Sequence, residues 1–392
     1  MGNANEQVRG VLDRLVEDGT EVGIQVAAYL NGSLVIDAWS GMADPSAGIP
    51  VTADTLFMVA SCTKGVVATC IHVLADRGSL EYDAPICRYW PEFAARGKEN
   101  TTVRHALMHE AGIPQMPEMT SSMMILDWDK MCAAVADLEP LWEAGTKVGY
   151  HALTFGWILG EVIRKVDGRP VGQFVQEEIC QPLGMRDIFI GIPEEDVSRV
   201  AKRMAPPPMP DMAPFPPDLL IFRAIPPALL NDMEEQSADD FQDYIRASIP
   251  AANGVMTARA LSRHYAMLAH GGALDGARVL SDKGLKIAAE IQPQDLDEVV
   301  HAIPGFPRPI RRSLGYWHGG ECVPSNDYHG ATGLSVASFG HPGMGGMSAF
   351  ADPEQGFSMA ILKNFSTPMG GALPDSTYVV AQEIRRSLDL ND

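Results

Sequence analysis

Basic residues are scarce in this 392-residue sequence, which carries 30 lysines and arginines against 50 acidic residues and a net charge of −20. Because a field of this sign repels phosphate backbones, the composition argues against nucleic-acid binding. The sequence also lacks an apolar run of the roughly 18 residues that a membrane span requires. Its first residues lack the basic start and apolar core of a secretory signal. We therefore expect a cytoplasmic protein without membrane association.

Several catalytic and ligand-binding patterns are missing as well. The sequence contains no Gly-x-Ser-x-Gly, which argues against an α/β-hydrolase, and no His-Glu-x-x-His, which argues against a zinc protease. No phosphate-binding glycine loop follows a strand-like segment. The six cysteines match neither a zinc site nor a redox pair, so we expect reduced thiols. The sequence thus predicts no metal and no cofactor, and it leaves homo-oligomerisation open.

Two hairpins, one towards each end of the chain, give the clearest strand signals. Two β-rich segments, Gly23–Leu30 and 34–39, flank Asn31-Gly32, which is the dipeptide most typical of a two-residue hairpin turn. Segments 348–351 and Phe357–Lys363 flank a second turn that contains proline and glycine. We expect these strands to join one antiparallel sheet.

The rest of the chain has enough apolar sequence for a full core, with 46% hydrophobic and 20% charged residues. Helical periodicity is found in segments 5–17, 61–76, 155–166, 253–271 and 375–388. The expected fold class is α/β in its mixed, α+β form, with an antiparallel sheet flanked by helices. Residues 1–80 and 305–392 would form this discontinuous domain, and residues 81–304 an inserted, mainly helical domain.

Residues 204–230 differ from their surroundings because they contain nine prolines, interspersed with methionine, phenylalanine and leucine. Proline disfavours both regular helices and central strands. The segment is therefore either a linker or surface loop, or an apolar lid over a pocket, since long irregular segments in compact proteins often cover sites.

Ser61 and Lys64 stand three residues apart where a very apolar helix is predicted to begin, so their side chains share one face. A serine hydroxyl is a weak nucleophile until a base removes its proton, and a lysine can be that base if burial lowers its pKa. The amide groups at a helix start also suit a developing oxyanion. The alternative is an N-cap serine followed by a solvated lysine, which the apolar setting of Lys64 disfavours.

The pattern Ser-Cys-Thr-Lys at residues 61–64 resembles the first motif of serine β-lactamases, penicillin-binding proteins and related esterases. Further segments resemble other motifs of that family in the same order along the chain. They are residues 102–113 (the family's LLxHxSGL), 149–152 (its tyrosine motif), 182–185 (Pro-Leu-Gly-Met), 253–259 (its GGxxSTAxD region) and 340–346 (its third motif). The resemblance implies the β-lactamase/DD-peptidase fold.

The resemblance also assigns roles to individual residues. Tyr150 would lie near Ser61 and Lys64 and move protons between nucleophile and leaving group. Without the resemblance, Tyr150 would be interpreted as an aromatic residue of the core. Gly343 and Met344 follow the third motif, and the Met344 N–H with the Ser61 N–H would form the oxyanion hole.

Two positions depart from the β-lactamase pattern. Ala152 stands where those enzymes have asparagine, and His341-Pro342-Gly343 stands where they have Lys-Thr-Gly. The departures favour the esterase branch of the family, often called class VIII. His341 is either a contact of the substrate carbonyl or leaving group, or a structural strand residue; His151 is expected to support the site rather than to react.

The function expected from these observations is hydrolysis of small carboxylic esters through an acyl-enzyme on Ser61. The Pro-rich segment 204–230, together with Tyr316 and Trp317, would line an apolar acyl pocket. An acyltransferase or an amidase could use the same acyl-enzyme, and a binding protein without catalysis is the remaining alternative.

Overall fold

The structure is a computed structural model. It describes residues 2–118, 122–204, 216, 218–227, 229, 238–293, 295–301, 303, 306, 309–321, 331–365 and 376–391. Most of the Pro-rich segment and the sixth cysteine, Cys322, lie outside these residues. The helices are α1 Gly2–Glu17, α2 Cys62–Asp76, α3 Val103–Leu107, α4 Trp128–Ala136, α5 Thr154–Asp167, α6 Val171–Val175, α7 Ile221–Ala224, α8 Ala238–Arg246, α9 Ala258–Ala269, α10 Asp282–Ala288 and α11 Ser376–Ser387.

An antiparallel sheet forms the base of the molecule. Its strands are β1 Gly23–Leu30, β2 Ser33–Asp44, β3 Ile49–Pro50, β9 Arg311–Arg312, β10 Trp317–His318, β11 Phe339–Gly343, β12 Met347–Asp352 and β13 Phe357–Lys363. Their spatial order is β3-β2-β1-β13-β12-β11-β10-β9. Short strands outside this sheet are β4 Phe57–Met58, β5 Ile188–Phe189, β6 Val255–Met256, β7 Ala273–Leu274 and β8 Ala277–Arg278.

Both predicted hairpins are present, and they meet in the centre of the sheet. The turn between β1 and β2 has positive φ at Asn31 (50°) and Gly32 (79°), as a two-residue hairpin turn requires. In the turn between β12 and β13, the Asp352 carboxylate accepts from two backbone N–H groups. Strand β1 pairs directly with β13. The two ends of the chain therefore share one sheet, as predicted.

Helices cover both faces of the sheet. Helices α1 and α11 pack on one face in a cluster that includes Val8, Leu12, Ile361 and Ile384. Helix α9 packs on the other face against β1, β12 and β13. Residues 62–74 of α2 are all buried, because this helix contacts both β11 and α5. The start of α2 is thereby fixed between the sheet and the helical part.

The segment 253–271 differs from the continuous helix that its periodicity predicts. Residues 255 and 256 form strand β6, paired with β4 and β5, and the helix begins only at Ala258. Thr257 separates the two elements because its side chain accepts a hydrogen bond from the Ala260 N–H and caps the helix. The division into domains 1–80 with 305–392 and 81–304 stays a prediction; helix α9, which it places in the inserted domain, packs on the sheet.

Candidate active site

The backbone before Ser61 is held in an uncommon conformation. Ala60 has a φ of 46°, which is rare for a residue other than glycine, asparagine or aspartate. The Thr63 hydroxyl donates to Ala60 O at 2.6 Å and accepts from Gly254 N at 2.9 Å, which ties this corner to the β6 segment. Ser61 is half-buried at the start of α2. Such conformations persist where surrounding contacts enforce them, and they cluster at active sites.

Lys64 is fully buried one helical turn after Ser61. Its Nζ lies 3.0 Å from Ser61 Oγ, 2.7 Å from Ala152 O and 2.8 Å from Ala251 O. Burial holds the pKa of Lys64 well below the usual 10.5. A neutral amine has two N–H donors and one lone pair. The two carbonyls take the donors, so the lone pair is left for the proton of Ser61.

The two carbonyls that contact Lys64 are positioned by side chains with fixed hydrogen bonds. His151 Nδ1 donates to Gly149 O at 2.6 Å while its Nε2 accepts from Ile113 N at 3.2 Å. Burial lowers the pKa of His151 to about 4, which keeps the ring neutral. On the other side, the Asn253 amide donates to Tyr244 O and Ala247 O. His151 therefore holds the loop that carries Ala152, and its expected lack of a reactive role stays a prediction.

Tyr150 completes the constellation. Its hydroxyl lies 3.0 Å from Ser61 Oγ, and its ring centroid lies 5.0 Å from Lys64 Nζ. Burial raises the pKa of Tyr150 well above 10, so the resting side chain is a neutral phenol and a hydrogen-bond donor to Oγ. The structure thus brings Ser61, Lys64 and Tyr150 together, although they come from distant parts of the sequence.

A buried ion pair lies behind Tyr150, and no sequence pattern predicted it. The Asp297 carboxylate accepts from Tyr150 N at 3.1 Å and from Arg312 Nη2 at 2.7 Å. Both charged side chains are almost inaccessible, at 3% and 2% exposure. The Arg312 guanidinium lies 4.9 Å from the Trp317 ring centroid. The pair fixes the backbone from which the phenol reaches Ser61.

His109 also packs against Tyr150, with 4.8 Å between the ring centroids. Its Nδ1 accepts from His151 N at 3.1 Å, and burial lowers its pKa well below 6.5. His109 has a φ of 61°. The similarity of residues 102–113 to a family motif was the available signal for this residue, but that similarity did not indicate a contact with Tyr150.

The third motif runs along β11 beside the start of α2. A Cβ added to Gly343 would lie 2.7 Å from Val59 O, so only glycine allows this close approach. Met344, which follows, lines the same cavity as Ser61. His341 is buried, and its ring centroid lies 6.2 Å from that of Tyr150. Its Nδ1 donates to Pro342 O at 2.7 Å.

The two aromatic residues predicted to line a pocket have different positions. Tyr316 is fully buried behind α2, where its hydroxyl lies 2.7 Å from Thr69 Oγ1 and its ring packs on His72. The prediction that it lines the pocket is wrong, because Tyr316 directly precedes β10 and its side chain points to the opposite side from that of Trp317, towards α2. Trp317 points to the site side, with its ring edge-on to Tyr150 at 5.6 Å between centroids.

A cavity of about 70 Å³ lies beside Ser61. Its apolar walls include Phe57, Met58, Leu153, Ile225, Leu229 and Met347. Ile225 and Leu229 belong to the Pro-rich segment, and the nearby α7 packs with Tyr150 and Trp317 in one apolar cluster. Described residues of the segment therefore form part of the cavity wall; its role as a lid stays a prediction.

Two kinds of feature are absent from the described residues. Within the ranges stated above, no group of three or more histidine, cysteine, aspartate or glutamate side chains is arranged to hold a metal ion. None of the helices that the structure describes combines the length and apolar character needed to cross a bilayer.

Comparisons with known proteins extend over most of the chain. The family model described as Beta-lactamase matches residues 8–383. Esterase/beta-lactamase LipL of Mycobacterium tuberculosis is 35% identical over 358 residues, which cover 87% of this chain and 77% of that protein. A solved penicillin-binding protein homolog from Caulobacter crescentus has a TM-score of 0.83 at 35% identity, with 98% of this chain and 97% of that chain covered. A solved family VIII carboxylesterase has a TM-score of 0.81 at 32% identity, with 97% of each chain covered.

Proposed function

Because this chain belongs to the Beta-lactamase family, as its motifs predicted, we propose that it hydrolyses carboxylic esters through an acyl-enzyme on Ser61. The observation that carries the proposal is the position of Ser61 Oγ, 3.0 Å from Lys64 Nζ and 3.0 Å from the Tyr150 hydroxyl. A relative that is named an esterase/beta-lactamase and a neighbour that is named a carboxylesterase support the same class of reaction.

In the proposed acylation, neutral Lys64 accepts the Ser61 proton while Oγ bonds to the ester carbonyl carbon. The N–H groups of Ser61 and Met344 hold the resulting oxyanion. The C–O bond to the alcohol then breaks as the Tyr150 phenol donates its proton to the leaving oxygen. Lys64 returns its proton to the phenolate, so the charges balance at the end of the step.

In the proposed deacylation, water adds to the acyl carbon and passes its proton to the Lys64–Tyr150 pair. The bond between the acyl carbon and Ser61 Oγ then breaks, and the Lys64–Tyr150 pair returns the proton to Oγ as the acid leaves. Ala152 and His341 replace the asparagine and lysine of the β-lactamase motifs, so ester hydrolysis is favoured over cleavage of β-lactams. His341 lies on β11 within the aromatic contacts of Tyr150 and Trp317.

Replacing Ser61 with alanine tests the proposal with a p-nitrophenyl ester and a fluorophosphonate probe. We expect hydrolysis to fall to the background rate and labelling to disappear, with an unchanged thermal unfolding midpoint. Ser79→Ala is the matched control, because Ser79 is exposed beyond the far end of the same helix. Retained hydrolysis or labelling in Ser61→Ala would refute the assignment, and loss in both variants would point to a folding effect.

A further inference from the structure

Two of the polar residues that line the cavity beside Ser61 have their own partners. Lys363 is buried, and its Nζ lies 2.7 Å from a Glu21 carboxylate oxygen, so its charge is compensated. The Asn364 amide nitrogen donates to two backbone carbonyls. Neither residue therefore offers a hydrogen-bond donor that a substrate would need to satisfy.

Arg203 lines the same cavity and differs from Lys363. It is half-buried, and no carboxylate among the described residues forms an ion pair with it. Its backbone is fixed on both sides, because Lys202 N donates to Ala43 O at 2.9 Å and Met204 N donates to Asn364 O at 2.8 Å. Buried charges in proteins are normally paired. A guanidinium that lines the same cavity as Ser61, on a fixed backbone and without an ion pair among the described residues, is therefore a candidate anion contact.

Tyr244 supplies a second unused donor in the same place. It lines the cavity, is only 2% exposed, and its hydroxyl has no hydrogen-bond partner within the described part of the chain. Buried hydroxyl groups nearly always have a partner. Arg203 and Tyr244 line the same cavity, and the charge of Arg203 opposes the rise that burial causes in the pKa of Tyr244.

We propose that Arg203 and Tyr244 bind a carboxylate on the acyl group of the substrate, so that the enzyme prefers monoesters of short dicarboxylic acids. A guanidinium matches a carboxylate in shape and charge, and a phenol adds one more donor. The cavity of about 70 Å³ has room for a chain of about four carbons, since it holds several times the ~15 Å³ that one water requires. The inference rests on the proposed function of Ser61.

The test compares p-nitrophenyl butyrate with p-nitrophenyl hydrogen succinate, in which a carboxylate replaces the terminal methyl group. The measured quantity is the ratio of kcat/KM for the succinate ester to that for the butyrate ester. We expect Arg203→Gln and Tyr244→Phe each to lower this ratio by about tenfold, as the loss of one charge-assisted hydrogen bond would. Lys202→Gln is the matched control, because it removes the same charge from the neighbouring exposed residue.

An unchanged ratio in Arg203→Gln, or an equal fall in Lys202→Gln, would overturn the inference. Calorimetric titration with levulinate, a keto acid in which a methyl ketone replaces the ester, tests the carboxylate site independently of ester hydrolysis by Ser61. If the unmodified protein binds levulinate and the Arg203→Gln variant does not, the carboxylate site is supported even if neither ester is hydrolysed. Absence of levulinate binding by the unmodified protein would overturn the site even if both esters are hydrolysed.

Discussion

Replacing Asp297 with asparagine tests whether the buried ion pair holds Tyr150 in its reactive position. One carboxylate oxygen of Asp297 accepts from Tyr150 N at 3.1 Å and from the N–H groups of Val299 and Val300. The other oxygen lies 2.7 Å from Arg312. An asparagine keeps one oxygen for the three N–H groups but turns an uncharged amide towards the guanidinium.

The expected loss of stability is large because both charges are buried. Removing one partner of a buried ion pair costs ~3–5 kcal/mol, since the remaining charge loses its compensation. A shift of the Tyr150 backbone by about 1 Å would lower kcat by about 10²-fold, because proton transfer depends on the alignment of the phenol with Ser61. KM should change little, since Asp297 does not line the cavity.

The assay combines urea unfolding with steady-state kinetics on a p-nitrophenyl ester. Asp83→Asn is the matched control, because Asp83 pairs with Arg104 at 2.6 Å but is 75% exposed. An exposed pair contributes ~0–1 kcal/mol, so this control should remain close to the unmodified protein. If Asp297→Asn unfolds at the same urea concentration and keeps its kcat, the role assigned to the pair is wrong.

Three further predictions follow from the burial of titratable groups. Since only neutral Lys64 can accept the Ser61 proton, kcat/KM should fall as the pH is lowered through the depressed pKa of Lys64. Lys64→Met should lower kcat/KM by about 10³-fold. Full activity that appears only above pH 10 would contradict the role of Lys64 as the base. Burial raises the pKa of the Cys62 thiol to about 12, so iodoacetamide at pH 8 should leave activity intact, and rapid inactivation that Cys62→Ser prevents would contradict it. Burial lowers the pKa values of His72 and His151 to about 4. The free energy of unfolding should therefore be fully retained above about pH 6.5 and decline towards pH 4, by up to about 1.4 kcal/mol per pKa unit and histidine. A urea midpoint that is constant between about pH 6.5 and pH 4 would contradict this prediction.

The parts of the fold that sequence could predict are those set by local patterns. The turn at Asn31-Gly32 and the spacing of Ser61 and Lys64 depend on neighbours within a few residues, and both were predicted. Tyr150 was found through its resemblance to a family motif. The strand at 255–256 was missed because two residues are too few to show an alternating pattern against the helix that follows.

The remaining features depend on contacts between residues far apart in the chain. Lys64 is held by the backbone carbonyls of Ala152 and Ala251, and a carbonyl gives no signal in the residue type. Asp297 lies 147 positions after the Tyr150 that it supports. The position of Tyr316 behind α2 depends on the direction of one side chain next to a strand of two residues, which periodicity could not fix.

Intact-mass spectrometry of the protein quenched during turnover of a p-nitrophenyl ester tests whether the reaction passes through an acyl-enzyme on Ser61. We predict a mass increase equal to one acyl group, located by peptide mapping on Ser61, and no such adduct in Ser61→Ala. An acyl group on a different residue, or ester turnover with no adduct on Ser61 under any quench, would show that Ser61 is not the nucleophile.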